Sequence, residues 1–250
     1  VIHALSRDGR AALTALGHAR ALLAFDFDGT LAPIVASRDD AHMRRETAAL
    51  FSRVCELYPC AVISGRGRRD VGARLEGCGV RYVVGNHGLE PGGDMARFEL
   101  QVSVVGAHVE RALAEVQGVD VEDKRYSLAV HYRRSRAKRA ATQAIHEAAA
   151  SAPHPMRTVG GKMVVNLIPE GAPSKGDALL ELRARSRSDV ALFVGDDVTD
   201  EDVFELDQPG RLLSIRVGRS ATSAAAYYLK SQGEIDALLA HLAGVRAAPP

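Results

Sequence analysis

Apolar residues occur along this chain in two rhythms, and each rhythm predicts a different element. Residues 22–25 (LLAF), 60–63 (CAVI) and 190–194 (VALFV) are apolar at every position, with runs at 81–84 (RYVV) and 214–217 (SIRV) that are apolar in part. A run with no polar face suits a strand buried on both sides of a parallel sheet. Residues 7–20 and 44–58 carry helical spacing instead, the second through Leu50, Val54 and Leu57. A further helix opens at Pro173-Ser174-Lys175-Gly176 and runs through Ala178, Leu179, Leu180 and Leu182. Residues 32–40, with Pro33, read as a loop, and 221–229 and 234–242 as closing helices. Between these two blocks the texture changes. Strand-like pieces at 98–105, 127–132 and 163–168 alternate with helix-like pieces at 107–116 and 137–150, which predicts a compact α+β module. The fold class expected is α/β, a parallel-sheet core interrupted by a smaller module.

Each buried run ends in polar residues, and open α/β sheets place ligands at the carboxyl ends of their strands. The first run continues into Asp26-Phe27-Asp28-Gly29-Thr30. Alternation along a strand sets Asp26 and Asp28 on one side, so one can attack or bind metal while its neighbour handles a proton. Two acids so close call for a cation, and a hard divalent ion such as Mg²⁺ suits oxygen ligands. Asp and Gly are also turn residues, so this string alone is equally a polar strand end. The second run ends in Ser64-Gly65-Arg66, where a hydroxyl and backbone N–H groups can hold phosphate oxygens, or simply turn the chain. The run at 190–194 leads into Asp196, Asp197, Asp200, Glu201 and Asp202. A wholly apolar strand aimed at such a cluster reads as a cation site. Lys175 by itself is either a solvated helix-start residue or an ammonium beside those acids.

Composition removes other classes of function. Formal net charge is +1, with no aromatic-studded basic stripe, so nucleic acid is not an expected partner. The longest apolar runs are strand-sized, so no membrane span is expected and the location expected by default is cytoplasmic. Cys55, Cys60 and Cys78 are odd in number and lack metal spacing, which favours free thiols. Gly65-x-Gly67 lacks the third glycine of a dinucleotide loop, and no Walker-type loop precedes Lys175. Basic residues are mostly Arg. Three of the five Lys, namely Lys124, Lys162 and Lys175, fall in the stretches that carry candidate chemistry.

Taken together, DFDGTL at 26–31, SGR at 64–66, Lys175 and GDDVTDED at 195–202 resemble, in order, the four motifs of the haloacid dehalogenase (HAD) phosphohydrolases. GNHGLE at 85–90 and the form of the last motif resemble the trehalose-6-phosphate phosphatase branch. About 33 residues separate Thr30 from Ser64 and about 110 separate Ser64 from Lys175. The module is therefore an insertion after the second motif, similar to the IIB form of HAD cap. The resemblance implies a Rossmann-like HAD core in residues 1–90 and 169–250, which is catalytic, and a cap domain in 91–168 that sets substrate specificity.

The resemblance also implies roles. Asp26 is the nucleophile that becomes an aspartyl phosphate, and Asp28 is the acid that protonates the leaving oxygen and then the base that activates water. Mg²⁺ is held by Asp26, the Asp28 backbone carbonyl and Asp196, with Asp197 and Asp200 behind them. Thr30, Ser64, Gly65 and Lys175 cradle the phosphoryl group, and Arg66, Asn86, His87 and Gly88 join the substrate-binding set. In the cap, Glu122 and Lys124, His131 and Arg133, and Lys162 resemble the family's sugar-binding elements. Where the family usually places Glu, four residues after that Lys, this chain has Asn166. Losing a charge-assisted bond there implies weaker or altered recognition of the distal glucose. The activity implied is hydrolysis of trehalose 6-phosphate, a small-molecule sugar phosphate. The alternatives are a phosphatase of sucrose or glucosylglycerol phosphate, a phosphosugar mutase, or a binding module without turnover.

Overall fold

The computed structural model describes residues 1–247 apart from positions 36, 162 and 207, so the expected site residue Lys162 lies outside the described residues. Two compact units are present. One comprises Val1–Gly88 with the chain from Ser174 onward, and the other comprises Leu89–Pro173.

In chain order the first part of the larger unit contains β1 (Ile2–His3), α1 (Arg7–His18), β2 (Ala21–Phe25), α2 (Arg45–Leu57), β3 (Cys60–Ile63), α3 (Arg68–Arg74) and β4 (Tyr82–Val84). The smaller unit comes next, with α4 (Met95–Ala112), β5 (Asp120–Asp123), β6 (Leu128–His131), α5 (Lys138–Ala150), β7 (Met156–Gly161) and β8 (Val164–Pro169). The larger unit then resumes with α6 (Lys175–Arg185), β9 (Val190–Gly195), α7 (Glu201–Phe204), β10 (Leu212–Val217), β11 (Tyr227–Leu229) and α8 (Ile235–Ala247).

The larger unit is built on a parallel sheet of order β1-β11-β10-β9-β2-β3-β4. From β2 the chain winds outward to β3 and β4, whereas the returning segment winds the other way through β9, β10 and β11. The carboxyl ends of β2 and β9 therefore meet at the switch point, where such sheets bind ligands. Leu22, Leu23, Ala24 and Phe25 are fully buried, alternating between the two faces of the sheet. Leu23 and Phe25 pack with Phe51, Val54, Leu238 and Leu239, and Phe25 meets Phe51 edge-on at 5.5 Å. Leu22 and Ala24 pack with Leu179, Leu182 and Val203. At about 1.5–3 kcal/mol for each large side chain buried, this strand is held rigidly enough to present the carboxylates at its end.

The smaller unit is a four-stranded antiparallel sheet, β5-β6-β8-β7, with one face covered by α4 and α5. The sequence reading missed the strands β5 and β7, and it misassigned one stretch. Residues 98–105, expected as a strand, and 107–116, expected as a separate helix, belong instead largely to the single helix α4. Val102, Val104 and Val105 favour strands locally, but the buried positions Phe98, Val102, Val105 and Val109 recur every three or four residues. Packing obeys that period. Residues 221–229 are corrected too, since their end is the strand β11, which pairs in parallel with β10 and with the edge strand β1. Among the described residues no helix is long and apolar enough to cross a membrane.

Candidate active site

The local chain at the end of β2 is forced by sterics as much as by charge. The Asp26 N–H donates to the Val194 carbonyl, continuing the β2–β9 ladder one residue beyond the strand at 2.8 Å. Gly29 has φ +81°, and a Cβ there would sit 2.1 Å from a carboxylate oxygen of Asp196. Only glycine allows both the turn and that approach. Gly195 serves β9 in a similar way, because a Cβ on it would lie 2.3 Å from the Asp200 carboxyl carbon.

Three segments distant in sequence meet here. The carboxylates of Asp26, Asp196 and Asp200, all buried, offer oxygen atoms within 4.8 Å of one another. The Lys175 ammonium, 1 % exposed, lies 2.7 Å from Asp200 Oδ1 and 3.2 Å from Asp26 Oδ1. Lys175 is placed by its helix start, since Ser174 and Asp177 form a reciprocal capping box that fixes where α6 begins. Asp200 organises the opposite side. Its Oδ2 accepts from the backbone N–H of Asp196 at 2.8 Å and of Asp197 at 2.9 Å, while its Oδ1 takes Lys175. Asp197 is half-buried and caps the short turn 198–200, standing outside the carboxylate triad.

Burial raises the Asp26 pKa well above the usual carboxylate range; Lys175 opposes this, and the neighbouring Asp200, Asp196 and Asp28 carboxylates add to it. Burial also works against the charge on Lys175, but Asp200 and Asp26 outweigh it and hold its pKa above the ordinary value. Three carboxylates against one ammonium leave two formal negative charges out of water. A divalent cation with hard oxygen preference fits that deficit in both charge and donor type.

The fit has a thermodynamic consequence. Because Asp26 holds a proton more tightly folded than unfolded, its contribution to stability falls as pH rises above the ordinary carboxylate range. A bound divalent ion displaces that proton. At a fixed concentration a hundredfold above its Kd at pH 8, Mg²⁺ is expected to raise Tm there by roughly 5–10 °C, and by less at pH 5.5, where a proton on Asp26 competes with it. Differential scanning fluorimetry with Mg²⁺ and with chelator checks this; an equal rise in the Asp26→Asn variant would place the ion elsewhere.

The remaining expected site residues fall into two groups. In the larger unit, Thr30 is buried and its hydroxyl has no hydrogen-bond partner among the described residues. Ser64 is buried at the end of β3, its Oγ accepting from the Arg66 N–H at 3.1 Å. Gly65 packs its Cα against the imidazole of His87. Asn86, His87 and Gly88 form a buried turn in which all three have positive φ, with Gly88 close against the Ser174 carbonyl. Asp28 is not one of the three clustered carboxylates and is instead paired with Arg66, with Nε–Oδ2 at 2.6 Å and Nη2–Oδ1 at 2.7 Å. Sequence reading missed Asp70, which accepts from Arg66 Nη1 at 2.8 Å and from Arg74 Nε at 2.9 Å. The signal was present as Arg66, Asp70 and Arg74 at successive fourth positions.

In the smaller unit, Leu128, Val130, Val165 and Leu167 pack towards the helices, so alternation turns Glu122, His131 and Asn166 to the opposite face, where Asn166 is buried. Glu122 and His131 are bonded at 2.9 Å, and Asn166 Nδ2 donates to the Val159 carbonyl at 3.4 Å. Lys124 lies in the β5–β6 turn, its N–H donating to the Ser127 carbonyl, and Arg133 is exposed just beyond β6.

Residues 24–232 match the family model described as trehalose-phosphatase. The chain is 34 % identical over 218 residues to the trehalose-phosphate phosphatase of Mycobacterium tuberculosis, covering 79 % of this chain and 56 % of that protein. With its counterpart from Mycobacterium ulcerans it shares 31 % over 238 residues, covering 88 % and 60 %. The chain thus spans little more than half the length of these relatives. Among solved structures, the C-terminal domain of C. albicans trehalose-6-phosphate phosphatase superposes with a TM-score of 0.80 over 98 % of both chains at 21 % identity. Aspergillus fumigatus trehalose-6-phosphate phosphatase does so with 0.66, at 22 % identity, over 98 % of this chain and 99 % of that one. Both share the fold.

Proposed function

This chain belongs to the trehalose-phosphatase family, and from that premise we propose that it hydrolyses trehalose 6-phosphate to trehalose and inorganic phosphate through an aspartyl phosphate on Asp26. The observation that carries the proposal is the meeting of Asp26, Lys175, Asp196 and Asp200 at the carboxyl ends of β2 and β9. No ordinary structural role asks for three buried carboxylates around one ammonium.

In the first step Asp26 Oδ attacks phosphorus, and the bond from phosphorus to the sugar oxygen breaks with its electron pair leaving on that oxygen. Asp28 delivers the proton the departing oxygen needs. In the second step the Asp28 carboxylate takes a proton from water, the water oxygen bonds to phosphorus, and Asp26 is released as a carboxylate. Lys175 neutralises phosphoryl charge throughout, and the unsatisfied Thr30 hydroxyl and the Ser64 hydroxyl are donors to phosphoryl oxygens. A divalent ion such as Mg²⁺ would be held by Asp26, Asp196 and the Asp28 carbonyl, with Asp197 and Asp200 as further partners, and would supply the charge that phosphoryl transfer requires.

The smaller unit is assigned the sugar. Glu122, His131 and Asn166 share the face of its sheet turned away from the helices, and their polar side chains suit directed hydrogen bonds to hydroxyls. Asn166 gives a second reading its specific support, a phosphatase of another glycosyl phosphate such as sucrose or glucosylglycerol phosphate.

Phosphate release across a panel of sugar phosphates in Mg²⁺ tests both. The expected result is kcat/KM at least tenfold higher for trehalose 6-phosphate than for sucrose or glucosylglycerol phosphate. Equal or better turnover of either competitor transfers the assignment to it, and an isomeric sugar phosphate without free phosphate identifies a mutase.

A further inference from the structure

Arg66 is the least ordinary charged residue outside the carboxylate triad. It is 5 % exposed, and all three of its guanidinium nitrogens donate to the protein's own acids: Nε and Nη2 to Asp28, Nη1 to Asp70. Its carbon lies 5.7 Å from the centre of the Phe27 ring. The other Asp70 oxygen is taken by Arg74, and Arg74 Nη1 donates to the backbone carbonyls of Asp39 at 3.0 Å and Ala41 at 2.8 Å. Alternating charges thus run from the Asp39 and Ala41 carbonyls, through Arg74, Asp70 and Arg66, to Asp28, whose side chain is 40 % exposed.

Two roles compete for such an arginine. An arginine that grips substrate phosphate needs its fork available, and this fork is closed on Asp28. A buried ion pair is poor as a source of stability, because desolvation cancels most of its attraction. It does fix geometry, since a bidentate guanidinium sets both the position and the plane of the carboxylate it holds. We propose that Arg66, anchored through Asp70 and Arg74, is a positioning residue that orients the Asp28 carboxyl group for proton transfer, and is not a ligand of the substrate. The inference rests on Asp28 being the acid and base of the proposed reaction.

The test is a double-mutant cycle of Arg66→Lys and Asp28→Asn, measured as kcat/KM on the sugar phosphate turned over fastest and on an aryl phosphate with a good leaving group. Lysine keeps the charge but cannot form the fork. Arg66→Lys is expected to lower kcat/KM on the sugar phosphate roughly 10- to 100-fold, mainly through kcat. The loss on the aryl phosphate, which leaves without a proton, is expected to stay within about threefold. In the Asp28→Asn background the same change is expected to cost less than about threefold on either substrate. Asp70→Asn, which loosens the anchor and leaves the fork, is expected to show the same pattern more weakly, and it serves if Arg66→Lys does not fold. Equal losses in both backgrounds, or a raised KM with unchanged kcat, would make Arg66 a substrate ligand and overturn the proposal. A wild-type chain that hydrolyses neither substrate removes the reaction itself, a different failure from a hydrolase whose Arg66 and Asp28 act independently.

Discussion

Asp26→Asn is expected to lower turnover by about 10⁴-fold or more while raising the Tm of the protein in chelator. In the proposed reaction the activity loss comes from chemistry, because an amide oxygen cannot displace an alkoxide from phosphorus at a useful rate. The stability gain comes from charge. Asp26 is buried with two other carboxylates, its pKa is pushed up mainly by that burial, and only Lys175 opposes this. Replacing it by a neutral isostere removes the group least comfortable in the ion-free site and still leaves a carbonyl oxygen to accept from Lys175. The gain is expected to fade as pH is lowered into the ordinary carboxylate range, where wild-type Asp26 is itself protonated. Activity by phosphate release, Tm by scanning fluorimetry and labelled phosphate retained on acid-quenched protein together read the variant. Residual turnover above about 1 % of wild type would remove Asp26 as nucleophile, and an unchanged Tm would contradict the crowding of charge around it.

Opposite signs for activity and stability are what a site held together against its own electrostatics should give. The triad is assembled from outside: the capping box of Ser174 and Asp177 starts α6 where Lys175 can reach inward, and glycines at 29 and 195 clear space for carboxylates that would otherwise collide with a side chain. Local chain geometry and charge are therefore solved together. That is also why so much could be read from the sequence. Gly29, Lys175 and the acidic string after 195 are each dictated within a few residues of the chemistry, so the chemistry leaves a local mark.

The illegible parts were decided at a distance. Residues 98–105 carry the β-branched composition of a strand, and only their packing onto the β6 and β8 side chains makes them helix. The strand β11 is short, and its place is set by pairing on one side with β10 and on the other with β1, over 200 positions away. The link from Arg66 to Asp28 spans 38 positions and could not be inferred from either segment. Its second half, Arg66 to Asp70 to Arg74, has helical spacing and could have been.

Lys175→Met is expected to have the largest effect on stability of any change in the site. Methionine matches the volume and length of the side chain but removes the ammonium, leaving Asp26 and Asp200 buried without their cation. Breaking one side of a buried ion pair costs about 3–5 kcal/mol, which for a chain of this size lowers Tm by roughly 10 °C. Arginine should not rescue it, since a site in which the ammonium is 1 % exposed has no room for a planar fork. Two conditions should rescue it in part. Saturating Mg²⁺ supplies positive charge to the same carboxylates, and Asp200→Asn in the same chain removes one of the uncompensated acids while its side-chain oxygen still accepts from the Asp196 and Asp197 N–H groups. The double variant is therefore expected to be less destabilised than Lys175→Met alone, with a coupling of about 1–3 kcal/mol in chemical denaturation. Activity of Lys175→Met is expected to fall about 10²- to 10³-fold even where Mg²⁺ restores the fold, because in the proposed reaction the ammonium also meets the charge that gathers on the phosphoryl oxygens. Additive losses in the double variant would mean that Lys175 and Asp200 do not share one buried pair, and the charge balance that makes room for a divalent ion beside Asp26 would have to be redrawn.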